Sequence, residues 1–255
     1  MRAKRGGWLL GLFVLALALA LAAGPSAPAW AGCRPERLAI AVDAGHGPRL
    51  PGATSATGAP EYDFNFRLAR QVVAAVQAAG FPRTVLLDPV GRDLAPTARA
   101  KAANAAGAGL LVSIHHDAAQ PQFLETWTVA GQTRRFCDRF AGYSVFYSGK
   151  NRHAAASLAL ARLLGREMRR AGFAFTRHHA ADIPGERRPL VDDTAGVYRY
   201  DGLAVLREAA MPAVLLEAGV IVNRAEEAEL AGPDRQRRTA EAVATAVATW
   251  CAEQR

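Results

Sequence analysis

The sequence has little cysteine, no recurring segment and only one long hydrophobic run. Three cysteines in 255 residues exclude a disulfide-framework miniprotein and a multi-cysteine zinc-finger array. Apolar residues make up 51% of the chain, which is too much for a disordered polymer. With no internal repeat and no low-complexity linker, the chain has the length of one domain with a substantial core.

The sequence also lacks the charge pattern of a nucleic-acid-binding protein. Lys and Arg number 31 against 23 Asp and Glu, for a formal net charge of +8. The basic residues are scattered, and neither a basic helix nor a stripe of alternating basic and aromatic residues is present. We therefore expect no nucleic-acid partner.

The one long hydrophobic run lies near the N-terminus and has the form of a signal peptide. A basic segment at residues 2–5 precedes an apolar run over residues 8–23, and Ala29-Trp30-Ala31 has the small-x-small form of a signal peptidase site. We predict that residues 1–31 are a signal peptide and that the chain is exported, with the periplasm as the expected compartment. A retained membrane anchor and a lipoprotein attached through Cys33 are the alternatives.

The mature chain, residues 32–255, alternates short apolar runs with amphipathic stretches. It carries 28 basic and 23 acidic residues, a net charge of +5 that suits an anionic partner. Strands alternating with helices of this length favour a single α/β domain with a largely parallel sheet covered on both faces. Strands are predicted at residues 38–42, 84–87, 110–114, 143–147 and 213–216, and helices at 63–79, 96–106, 155–171 and 234–252.

Two polar stretches interrupt this alternation. Residues 118–141 and 174–203 are long for connections in a compact domain, and loops of that size are usually functional or disordered. Either stretch is a candidate to gate a site beside it.

Side chains that can bind metal or transfer protons collect where the predicted strands end. His46 follows the first strand, His115 follows the third, and Glu217 closes the last, while Glu61 lies in the loop just before the first helix. Ligands of such sheets bind beyond the carboxyl ends of the strands. Two imidazoles and a carboxylate form the His₂Glu set of catalytic zinc sites, and a further carboxylate is then needed as general base and acid. Taken singly, His46 and His115 could be hydrogen-bonded loop residues, and Glu61 could be explained by the helix dipole. Glu217 ends a buried strand, where a carboxylate should be solvated, paired or functional.

Four blocks of the sequence occur in the order of a known enzyme family. They are Val42–Gly47 (VDAGHG), Glu61–Asp63 (EYD), Ser113–Asp117 (SIHHD) and Pro212–Gly219 (PAVLLEAG). Together they resemble the signature of type-3, zinc-dependent N-acetylmuramoyl-L-alanine amidases, and the resemblance runs from about Leu38 to the last helix.

The resemblance implies a specific site and reaction. Zn²⁺ would be bound by His46, Glu61 and His115, with Glu217 as the catalytic carboxylate and a six-stranded sheet flanked by helices as the fold. The substrate would be peptidoglycan, cleaved at the amide bond between N-acetylmuramic acid and L-alanine, and an activator protein is a further candidate partner. Two other functions remain open: another zinc exopeptidase acting on peptides, and a non-catalytic wall-binding or activator protein derived from an amidase.

His116-Asp117 departs from the Ala-Asn more usual in that family. In an extended backbone His116 points away from His115, which favours a structural role for His116 over a ligand role. We nevertheless include His116 among candidate substrate contacts, together with Arg187 and Arg207, since arginine could pair with carboxylates of the stem peptide. The competing interpretation of Arg207 is a structural ion pair with Glu217.

The three cysteines leave one without an intramolecular partner. In a βα pattern the last helix returns toward the strand starts, so Cys251 should end near Cys33, which precedes the first strand. We predict a Cys33–Cys251 disulfide, with Cys137 free.

Overall fold

Buried apolar strands form the centre of the protein. The computed structural model describes residues 32–254, so the predicted signal peptide, residues 1–31, lies outside the described residues. The strands are Ile40–Ala44 (β1), Thr84–Leu86 (β2), Leu110–Asp117 (β3), Glu125–Val129 (β4), Gln132–Phe136 (β5), Ser144–Tyr147 (β6), Leu190–Asp192 (β7), Val197–Arg199 (β8) and Ala213–Val220 (β9). Seven of them form one sheet in the order β2-β1-β3-β9-β6-β8-β7, and β4 and β5 form a separate hairpin.

The sheet is mixed, with parallel pairing at its centre. Strand β1 runs parallel to β2 and β3, and β3 runs parallel to β9. Strand β6 is antiparallel to β9 but parallel to β8, which pairs with β7 in the antiparallel sense. The predicted α/β fold with a mostly parallel, mixed sheet is thereby confirmed. The sheet has seven strands rather than six, because residues 174–203 supply the short strands β7 and β8 at one edge.

Helices flank the sheet, and the longest of them share one layer. Helix α6 packs between α1 and α3, while α2 contacts α4. In α6 an apolar stripe of Val243, Val247 and Trp250, spaced by three or four residues, faces the core and is fully buried. None of the helices within residues 32–254 is long and apolar enough to cross a membrane. The helices are Glu61–Ala78 (α1), Pro96–Ala105 (α2), Ala154–Arg170 (α3), Ala204–Arg207 (α4), Arg224–Ala231 (α5) and Pro233–Glu253 (α6).

The polar stretch at residues 118–141 is an ordered segment that packs against the domain and not an open loop. It begins with a short 3₁₀ turn and continues as the β4–β5 hairpin, whose tip residues Ala130 and Gly131 both have positive φ angles. Trp127 Nε1 donates a hydrogen bond to the carbonyl of Ala56 at 2.8 Å. The backbone amide of Cys137 donates to Val222, also at 2.8 Å. Trp127 in the middle of β4 and Cys137 directly after β5 therefore attach the hairpin to the main body.

The predicted disulfide is confirmed. Cys33 and Cys251 are bonded, with their Cα atoms 5.3 Å apart, and Cys137 is free and buried. The bridge joins the segment before β1 to the end of α6, across 218 residues of sequence. It therefore closes nearly the whole described chain into one covalent loop.

Replacing both bridged cysteines should destabilise the protein strongly. Closing a long loop restricts the unfolded ensemble, so a Cys33→Ala/Cys251→Ala variant should lose about 2–5 kcal/mol of unfolding free energy. Urea denaturation, followed by far-UV circular dichroism, measures this loss. Wild-type protein unfolded in a strong reductant is the control and should move toward the variant's midpoint. Equal midpoints for oxidised wild type and variant would contradict the prediction.

Candidate active site

The three predicted metal ligands converge at the carboxyl ends of β1 and β3. His46 Nε2 lies 3.2 Å from Glu61 Oε2, and His115 Nδ1 lies 3.1 Å from Glu61 Oε1. One donor atom from each residue lies within 4.8 Å of the other two. Two imidazoles and one carboxylate thus face a common point, as a metal site requires.

Glu61 is the first residue of α1, with Pro60 as the N-cap, and not a loop residue as predicted. The backbone amide of Ala53 donates a 3.0 Å hydrogen bond to Glu61 Oε2. Burial acts to raise the pKa of Glu61, but the hydrogen bonds and charges of His115 and His46 outweigh it and hold that pKa well below its usual range. Glu61 is therefore ionised at any physiological pH and can bind a metal ion through its carboxylate oxygens.

The backbone around His46 is shaped to bring the ligands together. His46 has φ of 67°, in the left-handed region that residues other than glycine seldom occupy. The buried guanidinium of Arg99 donates to the carbonyls of Ala44 and His46 and to Asp43 Oδ1 at 2.7 Å, which fixes this loop. At Gly45, a Cβ atom would lie 2.1 Å from His115 Nε2. Only glycine lets the His115 ring approach the end of β1.

A residue that the sequence analysis missed holds Glu61 in place. Asn65 Nδ2 donates to Glu61 Oε1 at 3.0 Å and to the carbonyl of Gly45 at 3.1 Å. The position of Asn65, four residues after Glu61 on one helix face, was the available signal. Residues that hydrogen-bond to a metal ligand commonly fix its orientation in this way.

His116 supports Asn65 and does not face the cavity. Its ring lies against Phe64, and its Nδ1 donates to Asn65 Oδ1 at 2.8 Å. Burial lowers the pKa of His116 to about 3, so the ring is neutral. His116 is 3% exposed, and its contacts with Phe64 and Asn65 favour the structural interpretation. Substrate contact by His116 stays a prediction.

The two arginines predicted as substrate contacts lie outside the cavities lined by the site residues. Arg187 is exposed and pairs with Asp182 at 2.5 Å. Arg207 Nε pairs with Glu208 at 2.8 Å, and it makes no ion pair with Glu217. The neighbouring Arg188 lines the cavity beside Glu217, with its guanidinium 3.8 Å from the centre of the Tyr200 ring. Substrate contact by Arg187 and Arg207 stays a prediction.

Glu217 lies beside the three donors on the central strand β9. The parallel pairing of β3 with β9 sets Glu217 opposite His115. Its Oε2 atom is buried and has no hydrogen-bond partner among residues 32–254. Burial, together with the negative charges of Asp117 and Glu61, raises the pKa of Glu217 well above its usual range. A carboxyl group with a raised pKa holds its proton more readily than an ordinary glutamic acid, as a general acid and base requires.

Two cavities give a substrate access to these groups. One of about 370 Å³ opens beside His46 and His115. The other, of about 130 Å³, is lined by Glu217 and by residues of the 174–203 segment. Leu203 lines both cavities, so the donors and Glu217 are reached from adjoining spaces.

The fold and the site together define an α/β domain that carries a His-Glu-His set of metal-binding side chains beside a separate carboxyl group. The sequence matches the N-acetylmuramoyl-L-alanine amidase family, type 3, over residues 40–249. The chain belongs to this family, whose activity is the hydrolysis of the amide bond between N-acetylmuramic acid and L-alanine in peptidoglycan.

Solved amidase structures share the fold. The catalytic domain of CwlV from Bacillus (Paenibacillus) polymyxa var. colistinus is 27% identical, with a TM-score of 0.62 over 84% of this chain and 97% of that one. Ami1 from Mycobacterium smegmatis is 21% identical, with a TM-score of 0.66 over 85% and 97%. CwlD from Clostridioides difficile, solved in complex with the GerS lipoprotein, is 19% identical, with a TM-score of 0.62 over 85% and 99%. A comparison with curated protein sequences finds no match.

Proposed function

We propose that this amidase is zinc-dependent, with His46, Glu61 and His115 as the ligands and Glu217 as the catalytic acid and base. The observation that carries the proposal is the convergence of three donors beside a carboxyl group whose buried Oε2 has no hydrogen-bond partner. When bound, zinc would supply Lewis-acid polarisation of the amide carbonyl and activation of water.

The residues of the site fit zinc. Imidazole nitrogen and carboxylate oxygen are donors that zinc prefers, and three protein ligands are typical of catalytic sites. Glu61 stays ionised because of its two histidine neighbours, and Asn65 holds its carboxylate in a fixed orientation. His46 and His115 both line the larger cavity, so one side of the donor set faces incoming substrate.

Glu217 would carry the proton through the reaction. As general base it takes a proton from the attacking water, and as general acid it returns that proton to the departing alanine nitrogen. An amine leaves poorly unless it is protonated as the bond breaks. The upward shift of the Glu217 pKa, caused mainly by burial, favours a group that can hold the proton between the two steps.

We further propose that the chain is exported to the periplasm after removal of residues 1–31, with peptidoglycan as its substrate there. The Cys33–Cys251 disulfide supports an oxidising compartment. A Cys33 sulfur that is bonded to Cys251 cannot also form a thioether with a lipid. The disulfide therefore favours cleavage after Ala31 over a lipoprotein attached through Cys33. The CwlD–GerS complex supports the further proposal that an activator protein is a partner.

Removing and restoring the metal tests the proposal. Chelator-treated protein should lose dye release from labelled peptidoglycan, and added zinc should restore it, because the three donors cannot activate water alone. Mass spectrometry of the products should show stem peptides with a free L-alanine amino group. Release of amino acids from free peptides would point instead to an exopeptidase. Binding to peptidoglycan without any product would indicate a non-catalytic wall protein.

A further inference from the structure

A second group of metal-binding side chains lies beyond the end of β3, apart from the three ligands described above. Asp117 is the last residue of β3, while His178 and His179 open the 3₁₀ turn His178–Ala180. Asp117 Oδ2 lies 3.3 Å from His178 Nε2 and 2.7 Å from His179 Nε2. The two imidazole centres are 4.0 Å apart, and one donor from each residue lies within 4.8 Å of the others.

The three facing atoms are buried and lack hydrogen bonds. Asp117 Oδ2, His178 Nε2 and His179 Nε2 have no hydrogen-bond partner among residues 32–254, although they lie at ion-pair distance from one another. The His178 side chain is only 1% exposed. Buried polar atoms without partners are expensive, and three of them aimed at one point indicate a cation between them.

The Nδ1 atoms of His178 and His179 both have hydrogen-bond partners on the side away from Asp117. His179 Nδ1 lies 3.0 Å from Glu186 Oε2, and a carboxylate only accepts, so this Nδ1 carries a proton. His178 Nδ1 lies 2.8 Å from the Thr176 hydroxyl, which can accept in the same way. Each ring then turns an Nε2 lone pair toward Asp117. A histidine held by a carboxylate on its far side is the usual arrangement around a bound metal.

We propose that Asp117, His178 and His179 form a second zinc site, so that the chain binds two zinc ions. Two imidazoles and a carboxylate suit zinc. At zinc–ligand bond lengths of about 2.0 Å, tetrahedral ligands lie roughly 3.3 Å from one another. The His178–Asp117 separation already has this value, and the 2.7 Å separation of His179 from Asp117 would lengthen on binding.

The second site would fix one wall of the active site. It would join the end of β3 to the segment that follows Thr176. That segment contributes Glu186 and Arg188, as well as His179, to the small cavity containing Glu217. We assign the second zinc a positioning role, because its ligands would hold these cavity-lining residues in place.

The competing occupant is a proton. Burial lowers the pKa of His179, but Asp117 and Glu186 outweigh it and raise that pKa to about 9. A protonated His179 would pair with both carboxylates, and His178 Nε2 would face the same Asp117 oxygen at 3.3 Å. Metal counting decides between these two states.

Zinc stoichiometry tests the second site. After dialysis against low-micromolar zinc, inductively coupled plasma mass spectrometry should find two zinc ions per wild-type chain. A His178→Ala/His179→Ala variant and a His46→Ala/His115→Ala variant should each retain one, and the His153→Ala control, at a histidine outside both groups, should retain two. One zinc in the wild type, unchanged by the His178→Ala/His179→Ala pair, would overturn the proposal.

Cobalt titration keeps the test independent of any variant that fails to fold. Wild-type apoprotein should take up two equivalents of Co²⁺, and the His46→Ala/His115→Ala variant should still show one equivalent by its visible absorption. Asp117→Asn should weaken that remaining signal at least tenfold in affinity. No cobalt absorption in the His46→Ala/His115→Ala variant would exclude the second site. Amidase activity with one zinc per chain would support the proposed function and contradict the second zinc site. Two zinc ions per chain without amidase activity would support the second zinc site and contradict the proposed function.

Discussion

Alanine in place of His46 or His115 should remove zinc from the first site and abolish the release of dye from labelled peptidoglycan. Each histidine is one of the three donors that residues 32–254 bring together at the site, so its loss leaves two of them and an under-coordinated metal. Metal activation of water and carbonyl is worth several kcal/mol, and we expect turnover to fall by about 10³-fold or more. Zinc content and dye release, measured on the same preparation, check both parts.

The His153→Ala variant is the matched control for these substitutions. His153 precedes α3, and its Nε2 donates a 3.1 Å hydrogen bond to the carbonyl of Ala210. It lies outside the cavity lined by His46 and His115. It should keep its zinc and nearly all of its activity. If folded His46→Ala and His115→Ala proteins kept their zinc at the first site, the ligand assignment would be wrong.

The first site was predictable because it depends on the simplest property of a parallel sheet. Strands that run side by side in one direction end at the same edge, so residues at or near the carboxyl ends of β1, β3 and β9 must meet there. The apolar runs that define these strands, such as Leu110–Ile114, are buried on both faces and easy to recognise. His46, His115 and Glu217 could therefore be brought together from the sequence.

The edge strands and the hairpin could not be predicted in the same way. Strands β7 and β8 contain three residues each and β4 and β5 are largely exposed, so none carries a buried apolar run. Strands β4 and β5 pair with each other, and so do β7 and β8, but β8 also pairs with β6, which is distant in the sequence. The one local signal was Ala130-Gly131 at the tip of the hairpin, where positive φ angles allow a tight turn.

The second donor group was hidden for a related reason. Some sixty residues separate Asp117 from His178 and His179, and no periodicity in the 174–203 segment indicates where it folds back. Adjacent histidines in an extended segment would point in opposite directions. The 3₁₀ turn at His178–Ala180 instead brings both rings to Asp117, which only the folded structure reveals.

Glu217→Gln should fold, keep its zinc and lose about 10²–10⁴-fold in turnover, or about 3–5 kcal/mol of transition-state stabilisation. Glutamine preserves the shape of the side chain but can neither take a proton from water nor give one to the leaving nitrogen. Because Glu217 Oε2 has no hydrogen-bond partner in the described chain, the substitution breaks no bond at that atom. The KM for peptidoglycan should change little, since the loss is confined to proton transfer.

The pH profile separates this role from a structural one. A general base works only when ionised, so wild-type turnover should rise as pH passes upward through the pKa of Glu217. Burial raises that pKa, so the rise should lie above the range of an ordinary glutamic acid, and Glu217→Gln should lack it. Glu208→Gln, on the surface beside Arg207, is the matched control and should keep the wild-type profile. Near-normal turnover in Glu217→Gln would make Glu217 structural, while loss of zinc with it would make Glu217 a ligand.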